Sequence, residues 1–466
     1  MKKTVLTALA VAPFVSLSAF AASDADLAEL RAQLRQIKES YEQRIATLEQ
    51  KLAQTQQTAA RAEESASRAA TAPAPRTGAG AFNPEISLIL SGNYTNLSKT
   101  PAERRLQGFV PGGGEASPEK RSFHLGESEL AISANVDHLF RGNMRLAVTP
   151  DNKVELEEAS IQTLGLGNGF NLKAGRFLSG IGYQNERHPH EWDFSGAPLP
   201  YQAFFGNALG MDGVQGRWLA PTPFFLEFGA EAARARSFPA ADEDRNKNGT
   251  MSGALFAHVG DDIGFSQSWR AGVSYFRTSP ERRSFEDPLV TDGSGDKLKN
   301  NFAGRSHTWV IDGLWKWAPN GDASRTYVKL QGEYFRRSED GSLTYDVNNT
   351  LLGTQTGNYR SRQSGYYAQA VWQFMPRWRV GYRYDRLDAG TTSLALVDSG
   401  AIAWSNVPVL ASYKPQRHTL MTDWSPSEFS RIRLQFAQDK TRPNATDNQI
   451  WLQYVMSLGA HGAHKF

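Results

Sequence analysis

The densest set of metal-ligating side chains in the sequence is His188-Pro189-His190-Glu191-Trp192-Asp193. Pro189 favours an extended backbone there, and in an extended chain alternate side chains share one side, so His188 and His190 align. Two imidazoles, joined by Glu191 or Asp193 where the chain bends, supply the three protein ligands of an open Zn²⁺ site. The same histidines would otherwise hydrogen-bond a folded loop to the wall around it. His461 and His464 lie three residues apart, a spacing that sends them to opposite faces of a strand and away from joint chelation. Asp244-Arg245-Asn246-Lys247-Asn248-Gly249 begins like a calcium loop, but Leu255 stands at the twelfth place, where a bidentate acid belongs. The sequence has no cysteine, no Gly-x-Ser-x-Gly elbow and no phosphate-cradling glycine loop ahead of a helix. No catalytic residue is therefore assigned, the chain reads as non-enzymatic, and no resident cofactor is required. Zn²⁺ enters as a transiently bound ion only.

The elements that must hold such a cluster follow from composition. The chain has 466 residues, of which 40% are hydrophobic and 21% charged. Its mean hydropathy is -0.48. Beyond the N-terminus no apolar run reaches the roughly 18 residues of a spanning helix. Yet it carries 11 Trp, 15 Tyr and 25 Phe, many for so polar a chain. A transmembrane β-barrel reconciles the two, because its outer face is apolar and girdled by aromatics while its lumen stays wet.

Residues 1–21 read as a secretory signal: Lys2 and Lys3, an apolar stretch from Val5 to Ala19, and Ala19-Phe20-Ala21 before the cleavage site. Removing both lysines lowers the formal charge from +3 to about +1, so nothing global points to nucleic acid. Residues 22–71 form an expected coiled-coil helix. Its apolar seam runs Leu27, Leu30, Leu34, Ile37, Tyr41, Ile45, Leu48 and Leu52, in steps of three and four with one stutter. Residues 72–83, rich in Pro, Gly and Ala, form a linker.

From residue 84 to 466 the period changes to two. Trp378-Arg379-Val380-Gly381-Tyr382-Arg383-Tyr384-Asp385 alternates apolar and polar, as does Arg431-Ile432-Arg433-Leu434-Gln435-Phe436. About sixteen such segments can be counted, joined alternately by short turns and by long polar loops at 99–121, 179–210, 237–250, 279–305, 339–362 and 389–414. The expected fold is all-β: a transmembrane antiparallel barrel of about 16 strands preceded by the coiled coil. Short turns and both termini then face the periplasm. Alternation places Arg270, Lys329, Arg379, Arg383, Arg431, Arg433, Glu227, Glu231, Asp312, Glu333 and Asp385 on lumenal faces, as a charged pore lining or as pairs that stiffen the wall.

Signal, helix, barrel and the terminal aromatic Phe466 together resemble the outer-membrane porins of Gram-negative bacteria, nearest to the phosphate-selective and carbohydrate porins. That resemblance implies a homotrimer in outer-membrane lipid, passing small solutes or ions, with its third long loop, here 179–210, narrowing the lumen. The stretches Gly175-Arg176-Phe177-Leu178, Asn185-Glu186-Arg187-His188-Pro189-His190-Glu191-Trp192-Asp193-Phe194 and Gly459-Ala460-His461-Gly462-Ala463-His464-Lys465-Phe466 resemble a group described as zinc-regulated TonB-dependent outer-membrane receptors. This second resemblance implies a part in zinc uptake. A TonB-dependent receptor needs a plug and about 22 strands, and the sequence ahead of the barrel leaves no room for a plug. The main expectation is a diffusion channel. The alternatives are a TonB-type zinc receptor, or a structural tether whose coiled coil contacts peptidoglycan or a periplasmic partner.

Overall fold

The computed structural model describes residues 84–101, 104–112, 120–150, 152–240 and 248–459. The signal, coiled coil and linker, residues 244–247 of the calcium-like stretch, and the tail with His461, His464 and Phe466 lie outside the described residues.

Eighteen strands are present among the described residues. They are β1 (Glu85–Leu97), β2 (Ser122–Leu125), β3 (Ser128–Asn135), β4 (Phe140–Val148), β5 (Val154–Thr163), β6 (Phe170–Leu178), β7 (Gly210–Leu219), β8 (Phe225–Ala235) and β9 (Ser252–Ile263). β10 (Gln267–Thr278), β11 (Arg283–Thr291), β12 (Lys297–Trp317), β13 (Tyr327–Tyr345), β14 (Gln355–Met375), β15 (Trp378–Leu394), β16 (Gln416–Ser427), β17 (Ser430–Arg442) and β18 (Ala445–Gly459) follow. Neighbours pair antiparallel around the sheet, and β1 pairs with β18, so the sheet closes on itself. β2 and β3 both pair with β1 and make one interrupted wall strand. β11 pairs with the outer part of β12, while β10 pairs with β12 directly. The wall is a closed antiparallel barrel of sixteen strands.

Alternation carries the barrel's two surfaces. On β12, Trp309, Ile311 and Trp317 are exposed on the outer face, while Val310 and Asp312 are buried inside. Trp309 and Trp317 stand eight residues apart, about 26 Å of strand, which at a tilt of about 40° rises about 20 Å, most of an apolar band about 25 Å tall. On β13 the outward series runs Leu330, Tyr334, Arg336, Ser338, Asp340, all exposed. The switch from apolar to polar marks where the strand leaves lipid for water.

That switch also explains a difference from the sequence reading. Residues 279–305 and 339–362 were expected to be loops, but β11 and the ends of β12, β13 and β14 occupy much of them. Above the membrane both strand faces meet polar surroundings or a separate core, so the apolar-out signal disappears although the ladder continues. Phe285, Leu298, Phe302, Leu343, Tyr345 and Tyr359 of these extensions pack with Leu394, Leu396, Val407, Val409 and Leu410 as a second core.

The segment 179–210 folds into the lumen. It carries a short helix α1 (Leu199–Phe205), all seven residues of which are buried. Gly206 ends α1 in the left-handed region at φ 62°, which a glycine adopts without a Cβ penalty. Phe204 stacks on Phe335 at 5.8 Å, Tyr201 meets Phe335 edge-on at 5.1 Å, and Phe205 meets Phe276 at 6.2 Å. This part of the barrel interior is a packed aromatic core rather than open water.

Candidate functional site

The inward segment starts and ends at a rung of the wall, since Leu178 on β6 pairs with Gly210 on β7. Between them, many of its residues are buried, so their backbone amides and carbonyls need partners within the protein, and wall side chains supply them. Glu231 on β8 accepts from the Ser179 hydroxyl at 2.6 Å and the Gly180 amide at 2.8 Å. Glu333 on β13 accepts from the Gln184 amide at 2.9 Å and from the hydroxyls of Tyr201 at 2.9 Å and Tyr367 at 2.7 Å. Gly182 sits so close to this carboxylate, at φ 65°, that a Cβ there would fall 2.3 Å from Glu333 Oε2. Asp385 on β15 accepts from the Leu199 amide at 3.0 Å.

The guanidiniums serve the loop's carbonyls in the same way. Arg431 donates to His190 O at 2.8 Å, Arg433 to Trp192 O at 2.9 Å, Arg383 to Gly196 O at 3.0 Å and Arg417 to Ala197 O at 2.7 Å. Behind them lie Asp423, bonded to Arg379 and Arg433, and Asp385, bonded to Arg383 and Arg417. All eleven residues assigned to the lumenal faces project inward. Arg379, Arg383, Arg431, Arg433, Glu231, Asp312, Glu333 and Asp385 are buried, and only Arg270, Lys329 and Glu227 are partly exposed. Most of the inward charge therefore holds the loop, and a smaller part borders open space.

The loop's metal-like cluster divides in two. Asp193 leaves the histidines for the basic wall of β13 and β15, with Lys329 Nζ at 2.5 Å and Arg379 at 3.2 Å. Burial works against its charged form, but Lys329 and Arg379 outweigh burial and hold the carboxyl below the ordinary carboxylate range. Asp193 thus neutralises two cations and is not placed to ligate a metal with His188. Glu191 stands 3.9 Å from His190 Nε2 and 3.7 Å from Arg187, and it too does not reach His188. Pro189–Glu191 form a 3-10 turn rather than a straight extension, yet the two imidazoles still stack, 6.1 Å apart.

His188 and His190 meet acids that sequence spacing did not assign: Glu129 on β3 and Glu157 and Glu158 on β5. His188 Nε2 lies 2.7 Å from Glu158, and His190 Nδ1 2.8 Å from Glu129. Burial opposes a charge on His188, but Glu129, Glu157 and Glu158 prevail and raise its pKa well above the ordinary value. One signal in the sequence pointed here. Adjacent Glu157 and Glu158 break the alternation of β5, and in the structure the β4–β5 register shifts between Arg145 and Leu146, leaving Glu157 as a bulge residue.

Two cavities adjoin the loop. One of about 210 Å³ lies between the loop and β12–β15, lined by Tyr183, Arg187, Asp193, Lys316, Lys329 and Arg379 among others. The other, of about 730 Å³, opens at the rim of short turns, where Lys316, Arg377, Arg379 and Arg431 face one acid, Glu428. Lys316, Tyr327 and Arg379 border both.

No family model matches this chain. Among solved structures, the fold is similar to a loop-deletion form of OmpT, an outer-membrane protein of Vibrio cholerae, at TM-score 0.48 and 10% identity, covering 81% of this chain and 99% of that one. It is also similar to an anion-selective porin from Comamonas acidovorans, at TM-score 0.45 and 11% identity over 81% and 99% of the two chains. The outer-membrane channel DcaP of Acinetobacter baumannii gives TM-score 0.43 and 10% identity over 81% and 97%. In sequence, a protein of Aquifex aeolicus (strain VF5) described as uncharacterized is 32% identical over 409 residues, which is 83% of this chain and 80% of that one. This chain and that Aquifex aeolicus protein belong to one family.

Proposed function

We propose that this protein is an outer-membrane channel, not an enzyme, through which small hydrophilic solutes diffuse down their gradient past a constriction made by segment 179–210. The observation that carries this reading is the pair of charged cavities inside a closed sixteen-strand wall, one at the short-turn rim and one against the loop. Sixteen strands also speak against the TonB-type alternative, whose barrels need about 22. With Arg379 already paired to Asp193 and Asp423, the excess of Lys316, Arg377 and Arg431 over Glu428 at the rim favours anions, because a ring of like charge concentrates its counter-ion at the entrance. We keep the homotrimer in outer-membrane lipid as the expected assembly and the short-turn rim as periplasmic.

The reading is tested in planar bilayers with the purified full chain. Discrete conductance steps are expected, with a reversal potential showing anion preference in a salt gradient. Lys316→Glu with Arg377→Glu should move that potential toward cation preference while leaving assembly intact. Lys316 lies over the Tyr327 ring at 4.7 Å and Arg377 donates to Pro426 O at 2.8 Å, so heat-modifiability in gels checks assembly before the potential is read. An assembled barrel that never conducts would end the channel reading.

One observation favours a second reading. The aromatic core around α1 occupies much of the lumen on its loop side. A closed wall together with the helix expected from the sequence at 22–71 is also what a structural tether needs, and the conductance measurement separates the two.

A further inference from the structure

Glu129, Glu157 and His188 each offer a ligand atom, and the three atoms lie within 4.8 Å of one another. They come from three separate places: β3, the bulge on β5, and the inward segment. The β3–β4–β5 hairpins place the two acids side by side, and the inward fold of the segment brings His188 to them.

The distances fit a bound cation. Glu158 accepts from His188 Nε2 at 2.7 Å, and a carboxylate only accepts, so Nε2 carries the proton. The other ring nitrogen, Nδ1, faces two further carboxylate oxygens, Glu157 Oε2 at 3.3 Å and Glu129 Oε2 at 3.6 Å. Both are longer than a good N–H···O bond of about 2.9–3.0 Å. Ligand atoms about 2.1 Å from a tetrahedral zinc stand about 3.4 Å from each other, which these two spacings match. Within the same geometry, the Glu157 Oε2 atom is buried and the approach of His188 Nδ1 to it is long, at 3.3 Å, so no close donor satisfies it. Such an atom costs on the order of 1–3 kcal/mol or more unless something positive fills the space before it.

The surroundings support a bound ion. A metal-ligating histidine usually gives its free N–H to a carboxylate, the part Glu158 plays for His188. Glu129 is oriented by His190 Nδ1 at 2.8 Å and by Arg145 at 3.0 Å. Glu129, Glu157 and Glu158 outnumber the nearby cations Arg145 and Lys173, so the pocket is negative once His188 gives up its Nδ1 proton to a bound ion. Glu129 and His188 are buried at the seam between loop and wall.

We infer that Glu129, Glu157 and His188 form a divalent-cation site, suited to Zn²⁺ or a similar ion by its one nitrogen and two oxygen donors, that fastens segment 179–210 to β3 and β5. Its ligands span loop and wall, so the ion acts as a staple on the constriction rather than as cargo. This inference does not rest on the channel reading, because binding is measured without transport.

The test is titration of the assembled, metal-stripped full chain with Zn²⁺ alone, alongside the visible spectrum with Co²⁺. One equivalent per chain is expected, with the intense cobalt absorption of a tetrahedral site. Glu157→Gln should weaken binding at least about tenfold. His461→Ala with His464→Ala, in the tail, should leave the affinity and the spectrum unchanged. If Glu157→Gln does not assemble, Glu157→Asp preserves the charge and moves the oxygen, and altered cobalt absorption in that variant supports the site. Wild-type protein that binds no zinc, or zinc lost with the tail histidines but retained in the Glu157 variants, overturns it.

Discussion

Excising residues 181–207 and joining the ends with two glycines should raise single-channel conductance several-fold. The barrel can tolerate the cut. Leu178 and Gly210 already form a rung between β6 and β7, and Ser179 donates its amide to Leu209 O at 2.9 Å. The excision therefore shortens a hairpin without moving any wall register. It removes α1 and with it Tyr201, Phe204 and Phe205, whose rings fill the lumen against Phe276 and Phe335. Arg383, Arg431 and Arg433 lose the loop carbonyls at Gly196, His190 and Trp192 and turn to water. The widened pore should keep its anion preference, because the freed groups on that wall include more guanidiniums than acids. Conductance unchanged from the full chain would mean that ions do not pass beside this segment, and the constriction would have to lie elsewhere.

What could be read beforehand and what could not divide along a physical line. Alternation is local, so Trp378 to Asp385 and Arg431 to Phe436 announce strands, and their charged members announce the inward face. Hairpin counting then yields sixteen strands, because each turn or loop is also local. The partner of an inward charge is not local. Arg433 gives no sign in its own segment that it will bind the carbonyl of Trp192, 241 positions away. For the same reason Asp193 looks like a companion of His188 in the sequence, yet pairs with Lys329 and Arg379 once the barrel closes. Glu129 lies about sixty residues from His190 and belongs to an unremarkable alternating strand, so only the inward fold of segment 179–210 identifies it as the acid between both histidines. The strand extensions above the membrane were hidden for another reason: with water outside, Arg336, Ser338 and Asp340 give the composition of a loop to what is still a ladder.

The same distinction between local and closure-dependent contacts sets the most damaging single substitution. Asp385→Asn should destabilise the seating of the loop by about 3–5 kcal/mol, the range for removing one partner of a buried ion pair. Asp385 is fully buried, with Arg383 at 3.0 Å and Arg417 at 3.4 Å from its Oδ2. An amide keeps the shape and can still accept from the Leu199 amide, so the start of α1 is not the weak point. The two guanidiniums are. Both are buried, and both also hold loop carbonyls, at Gly196 and Ala197. Without the carboxylate their charges are uncompensated, and they regain solvation only if the loop lifts and admits water. Trypsin then reports the outcome, because Arg187 lies in the inward segment and only about a quarter of its side chain is exposed in the seated state. Assembled Asp385→Asn barrels should be cut after Arg187 far faster than wild type, while the wall strands stay resistant and the cut chain still runs as a folded barrel in unheated gels. Arg383→Met with Arg417→Met in the Asp385→Asn background removes the stranded charges and should restore much of the resistance. If Asp385→Asn alone is cut no faster than wild type, the charge at Asp385 does not seat the loop, and its role reduces to accepting the Leu199 amide.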